Sequence, residues 1–587
     1  MPGRLALSNG ELNVVFDDRG LVDEIYFPYV GHQLHTRDCQ HKIGVWINGK
    51  ISWLTESDWQ IRSKLLPGSL IAHTIATNRD LNLLLEFEDL VDSEENVLIR
   101  NIHVVNLSNS SLDVRLFLHQ AFHIGDTKLA ADTAQFIPDK KAILHYQGRR
   151  AFVVGGQTDD KNSFDQFSIG RFGQPGLDGT WRDAEDGDLS GCSAETGSVD
   201  STIRFSLQVA PGASTRIHYW LAAGTSPRLA LAVHKKLTDN GIASRSDKTA
   251  RYWHRWLNPS FKIAQKIDPK LRQPFINSLL SLRSRFDPHG AIVDAHKMTC
   301  RPQTAAYILW PLIRLGYTDE ALRFFSFCKQ ALSVDEPYLL PSYRADGAWD
   351  MLPGAYDGDV PPIEIKDSAL VLFIFSQYCS LHKRSRTLND FYKSLVTPLA
   401  NFLTDYTDPS SNLVRSRDTY DTAIVYGALN AAATLADRIK DSTSSVRWRS
   451  RAEDLLIASQ QLIENRSHIP KSLDDDSLSI EAIFGCFMFG LVELDDEVLV
   501  DSVKKVEQNL NADEGLFKIS AEANQPDLVA SLWMAQYYLE VNQSDKADSI
   551  IKSITKKISK TGAINDDKNG PASAEYISTL LDTITKN

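Results

Sequence analysis

Short β-branched and aromatic runs alternate with turn signals over roughly the first 240 residues. Glu11–Phe16 is followed by Asp17-Asp-Arg-Gly20, and Ile43–Ile47 is followed by Asn48-Gly49. Polar, glycine-containing turns directly after such runs are typical of β-hairpins. Further runs of the same kind are Val97–Val105, Leu112–Leu118 and Ile203–Val209. The pattern predicts a large antiparallel β-sandwich.

The period of the apolar positions changes near Ser246. Lys248–Leu257 has a helical composition and meets a stop signal at Asn258-Pro259. We interpret this segment as a linker helix. After it, apolar residues recur at i, i+3 and i+4 in about twelve segments. These predicted helices start near residues 268, 303, 318, 366, 388, 420, 445, 479, 497, 528, 545 and 572.

Twelve helices fit either a solenoid of helical hairpins or a closed double ring of six inner and six outer helices. An inner ring is covered on all sides, so its helices should be apolar nearly all round. Such segments alternate here with charged helices such as Thr318–Leu332 and Asp545–Lys557, and no repeat of fixed length supports a solenoid. The apolar segments are Ala305–Ile313, Ala369–Phe375, Ala423–Leu429, Ile483–Phe489 and Leu528–Ala535.

The predicted fold class is therefore α+β and multidomain. An N-terminal antiparallel β-sandwich should occupy residues 1–245, a linker helix residues 246–265, and an (α/α)₆ barrel residues 266–587. A chain of 587 residues is too long for one hydrophobic core, which agrees with this division.

Charge and composition exclude several classes of function. The formal net charge of −12 argues against a nucleic-acid surface and favours a neutral or cationic ligand. Six cysteines without close spacing predict free thiols, and no motif for a nucleotide, phosphate or metal is present, so we expect no cofactor. Neither a secretory signal nor a membrane-spanning apolar run is visible, which predicts a cytoplasmic protein.

Several segments resemble the bacterial and archaeal proteins of glycoside hydrolase family 15. In the first half they are Leu7-Ser-Asn-Gly-Glu-Leu12, Val15-Phe-Asp-Asp-Arg-Gly-Leu21, Tyr26-Phe-Pro-Tyr-Val-Gly31 and His41–Trp53. In the second half they are Ser281–Ile292, Leu315–Phe327, Ala423–Ala436, Asp476-Ser-Leu478 and Ser573-Ala-Glu-Tyr-Ile577. The resemblance covers nearly the whole chain and implies a super-sandwich followed by an (α/α)₆ barrel.

The resemblance also implies a function. Family members act as glucoamylases, glucodextranases or trehalases, and their pocket at one end of the inner ring takes the non-reducing end of an α-glucoside. Their chemistry is inverting: a carboxylic acid protonates the leaving oxygen while a carboxylate about 6.5–9.5 Å away activates water on the opposite face. The implied partner is an α-glucan or oligosaccharide.

The sugar-gripping motif of the family is altered in this chain. The family carries Trp-Pro-Arg-Asp at the start of an inner helix, where this sequence has Arg301-Pro302-Gln303-Thr304. Gln303 and Thr304 are expected to hydrogen-bond a sugar, but more weakly than a charged pair would.

The general acid of the family lies in a Leu-Trp-Glu-Glu-Arg stretch, and here Asn412–Thr422 fills a shorter gap without a glutamate. Asp421 is the nearest carboxylate, with Asp418 second. The alternative is that Asp421 is an ordinary helix N-terminal residue favoured by the dipole. The resemblance places the general base at Asp566, in Gly562–Asp567; a solvated turn is the alternative there.

A further segment resembles the family's substrate loops. The residues that we expect to line the pocket are Tyr343, Asp346, Trp349, Glu364 and Asp367. Trp349 offers an aromatic face on which the apolar side of a pyranose ring stacks.

Three functions remain open from the sequence. The first is a true α-glucosidase that uses aspartates in place of glutamates. The second is a carbohydrate-binding protein that kept the fold and lost catalysis. The third, a phosphorolytic or transfer enzyme, is disfavoured by the lack of a basic cluster near the pocket segments. The oligomeric state does not follow from the sequence.

Overall fold

A computed structural model describes residues 5–37, 39–125, 131–294, 298–333, 335–350, 363–383, 385–464, 466–559, 562–564 and 571–586. The chain forms two compact units. Among the described residues, the first holds those within 1–258, 283–285 and 559–562, and the second holds the rest.

The first unit is built from antiparallel strands. Their bounds are β1 Leu5–Ser8, β2 Asn13–Phe16, β3 Val22–Tyr29, β4 His32–Leu34, β5 Lys42–Ile47, β6 Lys50–Trp53, β7 Trp59–Leu65, β8 Ile71–Asn78, β9 Leu83–Val91, β10 Val97–Asn106, β11 Leu112–Ala121, β12 Asp132–Ile137, β13 Ala142–Gln147, β14 Arg150–Thr158, β15 Gln166–Gln174, β16 Leu177–Asp178, β17 Ala194–Gly197, β18 Val199–Val209 and β19 Ser214–Gly224.

The described strands form three sheets. Their orders are β1-β2-β3-β4, β17-β12-β13-β14-β19-β10-β9-β8-β7 and β16-β15-β18-β11-β5-β6. The two larger sheets face each other: Phe136 of β12 stacks on Phe167 of β15, with ring centroids 4.1 Å apart. The predicted antiparallel sandwich is confirmed.

A helical layer covers the other face of the nine-stranded sheet. Helix α1 (Pro227–Asn240) starts where the Ser226 hydroxyl accepts a hydrogen bond from the Leu229 N–H, and Pro227 occupies its first turn. Ala230 and Leu237 of this helix join a buried cluster with Trp220 of β19. The sequence pattern assigned this region to strands and did not predict α1.

The remaining helices have the following bounds: α2 Ala243–Trp256, α3 Asn258–Ala264, α4 Pro269–Arg283, α5 Pro302–Leu315, α6 Thr318–Ala331, α7 Ile365–His382, α8 Ser385–Phe391, α9 Thr397–Asp405, α10 Thr419–Ile439, α11 Ser442–Ile463, α12 Ile480–Met488, α13 Glu497–Asn509, α14 Leu528–Glu540, α15 Ser544–Thr555 and α16 Ala572–Lys586. A π-helical turn, Tyr392–Val396, joins α8 to α9. The predicted starts agree closely with these bounds.

The helices of the second unit form a closed ring. Among the described residues, α5, α7, α10, α12 and α14 each pack against the next helix in this order, α14 packs against α16, and α16 packs back against α5. Helix α14 buries every side chain from Ala530 to Leu539, as an inner helix must. Outer helix α11 instead buries one stripe that includes Trp448, Leu455 and Leu462. The closed ring, rather than the solenoid, is therefore confirmed.

Candidate active site

The first turns of four inner helices meet at one end of the ring. The Gln303 N–H, at the start of α5, donates a 2.8 Å hydrogen bond to Oδ1 of Asp367, in the first turn of α7. Next to Asp367, the Lys366 ammonium lies 3.5 Å from Oε1 of Glu481 in the first turn of α12. The same ammonium lies 5.6 Å from the ring centroid of Tyr420, in the first turn of α10. This end therefore gathers polar groups from α5, α7, α10 and α12.

Aromatic side chains fill the interior of the ring. The hydroxyls of Tyr307 and Tyr420 contact each other. The Tyr307 ring also lies 6.0 Å from the ring of Trp533 on α14, and Trp533 stacks on Phe484 of α12 at 4.4 Å with an interplanar angle of 11°. Because these contacts join helices that are not all neighbours in the ring, they close its centre.

Asp421 is a buried carboxyl in the first turn of α10, with only 7% of the residue exposed. Its backbone N–H donates a 3.1 Å hydrogen bond to Oδ1 of Asp418, the residue that caps the helix. Its own Oδ2 accepts a 2.7 Å hydrogen bond from the Ser416 hydroxyl. Its Oδ1 has no hydrogen-bond partner among the described residues. Asp418 therefore caps the helix, and one oxygen of Asp421 has no hydrogen bond among the described residues.

The surroundings of Asp421 favour its protonated form. Burial, and then the negative charge of Asp418, raise the pKa of Asp421 to about 7, while the Lys366 ammonium acts in the opposite direction. A carboxyl that holds its proton near neutral pH can donate it to a leaving oxygen. Asp421 thus combines burial, a retained proton and a buried oxygen without a hydrogen bond among the described residues, which are features of a general acid.

The segment from Arg301 to Thr304, which is predicted to contact a sugar, has a defined local structure. Pro302 starts α5, Gln303 is half-buried and Thr304 is buried. Asp367, which accepts the Gln303 N–H, is only 1% exposed, and burial raises its pKa to about 8. Asp367 therefore anchors the first turn of α5 through the backbone, and Gln303 presents an uncharged side chain beside it.

Two of the predicted substrate-loop residues lie close to the segment that precedes α5. Tyr343 forms a two-bond backbone bridge with Cys300, of 2.7 and 2.8 Å, and a second bridge with Trp349. The Tyr343 hydroxyl is buried and accepts a 2.8 Å hydrogen bond from the Leu340 N–H. The Trp349 Nε1 has no hydrogen-bond partner in the described part of the chain. The structure thus brings Tyr343 and Trp349 together.

The other predicted residues are placed differently. Asp346 forms a 2.9 Å ion pair with Arg344 within the same turn. Glu364 precedes α7, and its Oε2 lies 3.9 Å from the Arg301 guanidinium. Asp566 lies outside the described residues.

Sequence reasoning did not select several residues that the structure places at or below this end of the ring. Lys366 and Glu481 form the ion pair, Tyr307 and Trp533 form the aromatic interior, and Glu575 is a carboxyl with 4% exposure in the first turn of α16. The Gln536 amide donates a 2.7 Å hydrogen bond to Oε2 of Glu575, and burial raises the pKa of Glu575 to about 7. A carboxylate within an apolar helix was the available signal for Glu575.

Comparison with known proteins gives the following relatives. No protein-family model matches the chain. An uncharacterized glycosyl hydrolase of Methanocaldococcus jannaschii is 22% identical over 569 residues, which is 91% of this chain and 87% of that protein. A bacterial glucoamylase complexed with acarbose superposes with a TM-score of 0.76 at 14% identity, covering 99% of this chain and 93% of that one.

A protein provisionally assigned as a kojibiose phosphorylase, from the human microbiome, superposes less closely. Its TM-score is 0.59 at 9% identity, covering 99% of this chain and 86% of that one.

Within the described residues, none of the helices is long and apolar enough to cross a membrane. The chain therefore has the fold of a bacterial glucoamylase, and it resembles the glycoside hydrolases that share that fold.

Proposed function

We propose that this protein is an inverting exo-hydrolase of terminal α-glucosidic bonds in glucans or oligosaccharides, with Asp421 as general acid and Asp566 as general base. The observation that carries the proposal is the buried Asp421 carboxyl, with one oxygen uncommitted among the described residues, at the polar end of a closed helical ring. The similarity to a glucoamylase that binds acarbose, an oligosaccharide mimic, supports this substrate class.

The proposed reaction uses the two carboxyl groups in opposite protonation states. Asp421 transfers its proton to the glycosidic oxygen as the bond from that oxygen to the anomeric carbon breaks. A water molecule attacks the anomeric carbon from the opposite face and gives its proton to the Asp566 carboxylate. The product is glucose of inverted anomeric configuration. Asp421 then takes up a proton from solvent and Asp566 releases one, which restores the starting protonation states.

The closed interior supports exo action. Tyr307, Tyr420 and Trp533 fill the ring below its polar end, so a glucan enters by one end only. Aromatic faces and edges also suit the apolar faces of pyranose rings. The residues that we propose to position the terminal sugar are Gln303, Thr304, Tyr343, Asp346, Trp349, Glu364 and Asp367.

A carbohydrate-binding protein without catalysis is the second candidate. The observation that favours it is the uncharged Gln303–Thr304 pair, which offers a sugar no charge-assisted hydrogen bond. Phosphorolysis is a third outcome to be tested, because the phosphorylase relative has the same fold. The cytoplasm is the proposed compartment, since all six cysteines are free thiols.

The test is glucose release from maltose, maltoheptaose, isomaltotriose, trehalose and dextran, with and without inorganic phosphate. The wild type is compared with Asp421→Asn, Asp566→Asn and the exposed-site control Asp474→Asn. Glucose release that either of the first two substitutions abolishes, and the control does not, supports the hydrolase. Sugar binding by calorimetry without any release identifies the binding protein, and release of glucose 1-phosphate identifies a phosphorylase.

A further inference from the structure

One ammonium group faces most of the carboxylates at the polar end of the ring. Lys366 forms its ion pair with Glu481 across the first turn of α10, and these two side chains are 27% and 35% exposed. Because α7 and α12 lie on either side of α10, the pair lies over the turn that carries Tyr420 and Asp421. The ion pair therefore holds the ammonium near the turn that carries Asp421.

The charged groups that act on Lys366 come from α10, from α12 and from the residue before α7. They are Glu364 before α7, Asp418 and Asp421 of α10, and Glu481 of α12. Burial alone would lower the pKa of Lys366, but these four carboxyl groups together raise it, so the ammonium stays charged throughout the working pH range. A permanent positive charge next to a buried carboxyl favours loss of the carboxyl proton.

We propose that Lys366, oriented by Glu481, is a positioning residue that limits how strongly Asp421 holds its proton. Burial and the charges of Asp418 and Glu481 favour the neutral acid, whereas the Lys366 ammonium and the hydrogen bond from Ser416 oppose them. Without this opposition Asp421 would remain protonated further above neutral pH and would be a weaker acid. The catalytic consequence rests on the proposed function, whereas the electrostatic effect on Asp421 does not.

The substitution Lys366→Met tests the proposal, because methionine has a similar length and no charge. Lys366→Arg is the matched control that keeps the charge. The free energy of unfolding is measured from pH 4 to pH 9 for the wild type and for Asp421→Asn, and the difference between the two isolates the contribution of Asp421. The same pair of measurements is then made in the Lys366→Met and Lys366→Arg backgrounds.

The sign of the expected effect follows from linkage. A carboxyl whose pKa rises on folding stabilises the protein at low pH, and this contribution is lost as the pH rises through the folded-state pKa. In the wild-type background the loss should be complete soon after pH 7. In the Lys366→Met background it should continue for about one further pH unit, and Lys366→Arg should match the wild type.

Activity gives a second, separate readout. If the protein hydrolyses glucans, the basic limb of the kcat profile should move to higher pH by the same interval in Lys366→Met, with kcat rather than KM reduced at lower pH. The proposal would be overturned if the contribution of Asp421 to the free energy of unfolding had the same pH dependence in the wild-type and Lys366→Met backgrounds. This holds even if the enzyme is active. A shifted stability curve in a protein without hydrolysis would confirm the proposal and reject the proposed function alone.

Discussion

The side-chain hydroxyls of Tyr307 and Tyr420 contact each other although their helices, α5 and α10, are separated in the ring by α7. Burial raises the pKa of both phenols far above neutral pH, so both stay protonated and one hydroxyl donates to the other. The pair thus joins two inner helices across the ring, below its polar end.

Tyr307→Phe and Tyr420→Phe should each destabilise the second unit by about 1–2 kcal/mol, because each leaves the other hydroxyl without its partner. The double variant should cost less than the sum of the single variants, since it leaves no hydroxyl unpaired. Urea unfolding followed by circular dichroism checks this, with Tyr406→Phe as a control. Strict additivity would contradict a direct interaction between the hydroxyls.

Asp421→Asn should reduce kcat on maltoheptaose by about 10²–10⁴-fold, the range expected when a general acid is removed, with a small change in KM. In the wild type, activity should fall as the pH rises through about 7, because the acid then loses its proton. Steady-state kinetics at several pH values measure both effects. Substrates whose leaving groups need no protonation, such as glucosyl fluoride, should be affected much less by the substitution.

The order of strands and helices could be predicted from the sequence. The candidate site could be predicted only in part. The twelve predicted helix starts succeeded because inner helices are apolar on all sides and outer helices on one stripe, as α14 and α11 show. The sequence pattern did not predict helix α1, because this helix directly follows a long series of strands and forms a single layer on their sheet. Asp421 was selected by resemblance, but its burial and its contact with Ser416 depend on the loop before α10.

The ion pair between Lys366 and Glu481 could not be predicted. These residues are 115 positions apart, and their contact depends on how α7, α10 and α12 are arranged around the ring. The same reason applies to Tyr307 and Trp533, which look like ordinary residues of apolar helices until the ring closes.

Gly290→Ala should destabilise the second unit severely. Gly290 has a φ of +105°, and a Cβ at this position would lie 2.1 Å from the backbone oxygen of Arg323 in α6. Gly316 has a φ of +92° but open space around its Cβ position, so Gly316→Ala isolates the cost of the backbone conformation, about 1 kcal/mol. Thermal unfolding of both variants gives the comparison. Equal melting temperatures would show that α6 gives way to the added atom.

Glu575→Gln should change the pH dependence of stability. Burial raises the folded-state pKa of Glu575 from 4.5 to about 7, so the protonated carboxyl favours the folded state and this contribution is lost between those pH values as the pH rises. Glutamine resembles the neutral acid and does not titrate. The variant should therefore match the wild type below the unfolded-state pKa of 4.5 and exceed it in stability above pH 7, in unfolding measurements across this range. Lower stability at pH 8 would contradict the prediction.

The anomeric configuration of the first glucose released tests the central claim most directly. Proton NMR during the first minutes of maltoheptaose hydrolysis distinguishes the β-anomer from the α-anomer before the two equilibrate. We predict β-glucose from the wild type and at least about 100-fold slower release from Asp421→Asn. Release of α-glucose, or undiminished release by Asp421→Asn, would contradict an inverting mechanism in which Asp421 is the acid.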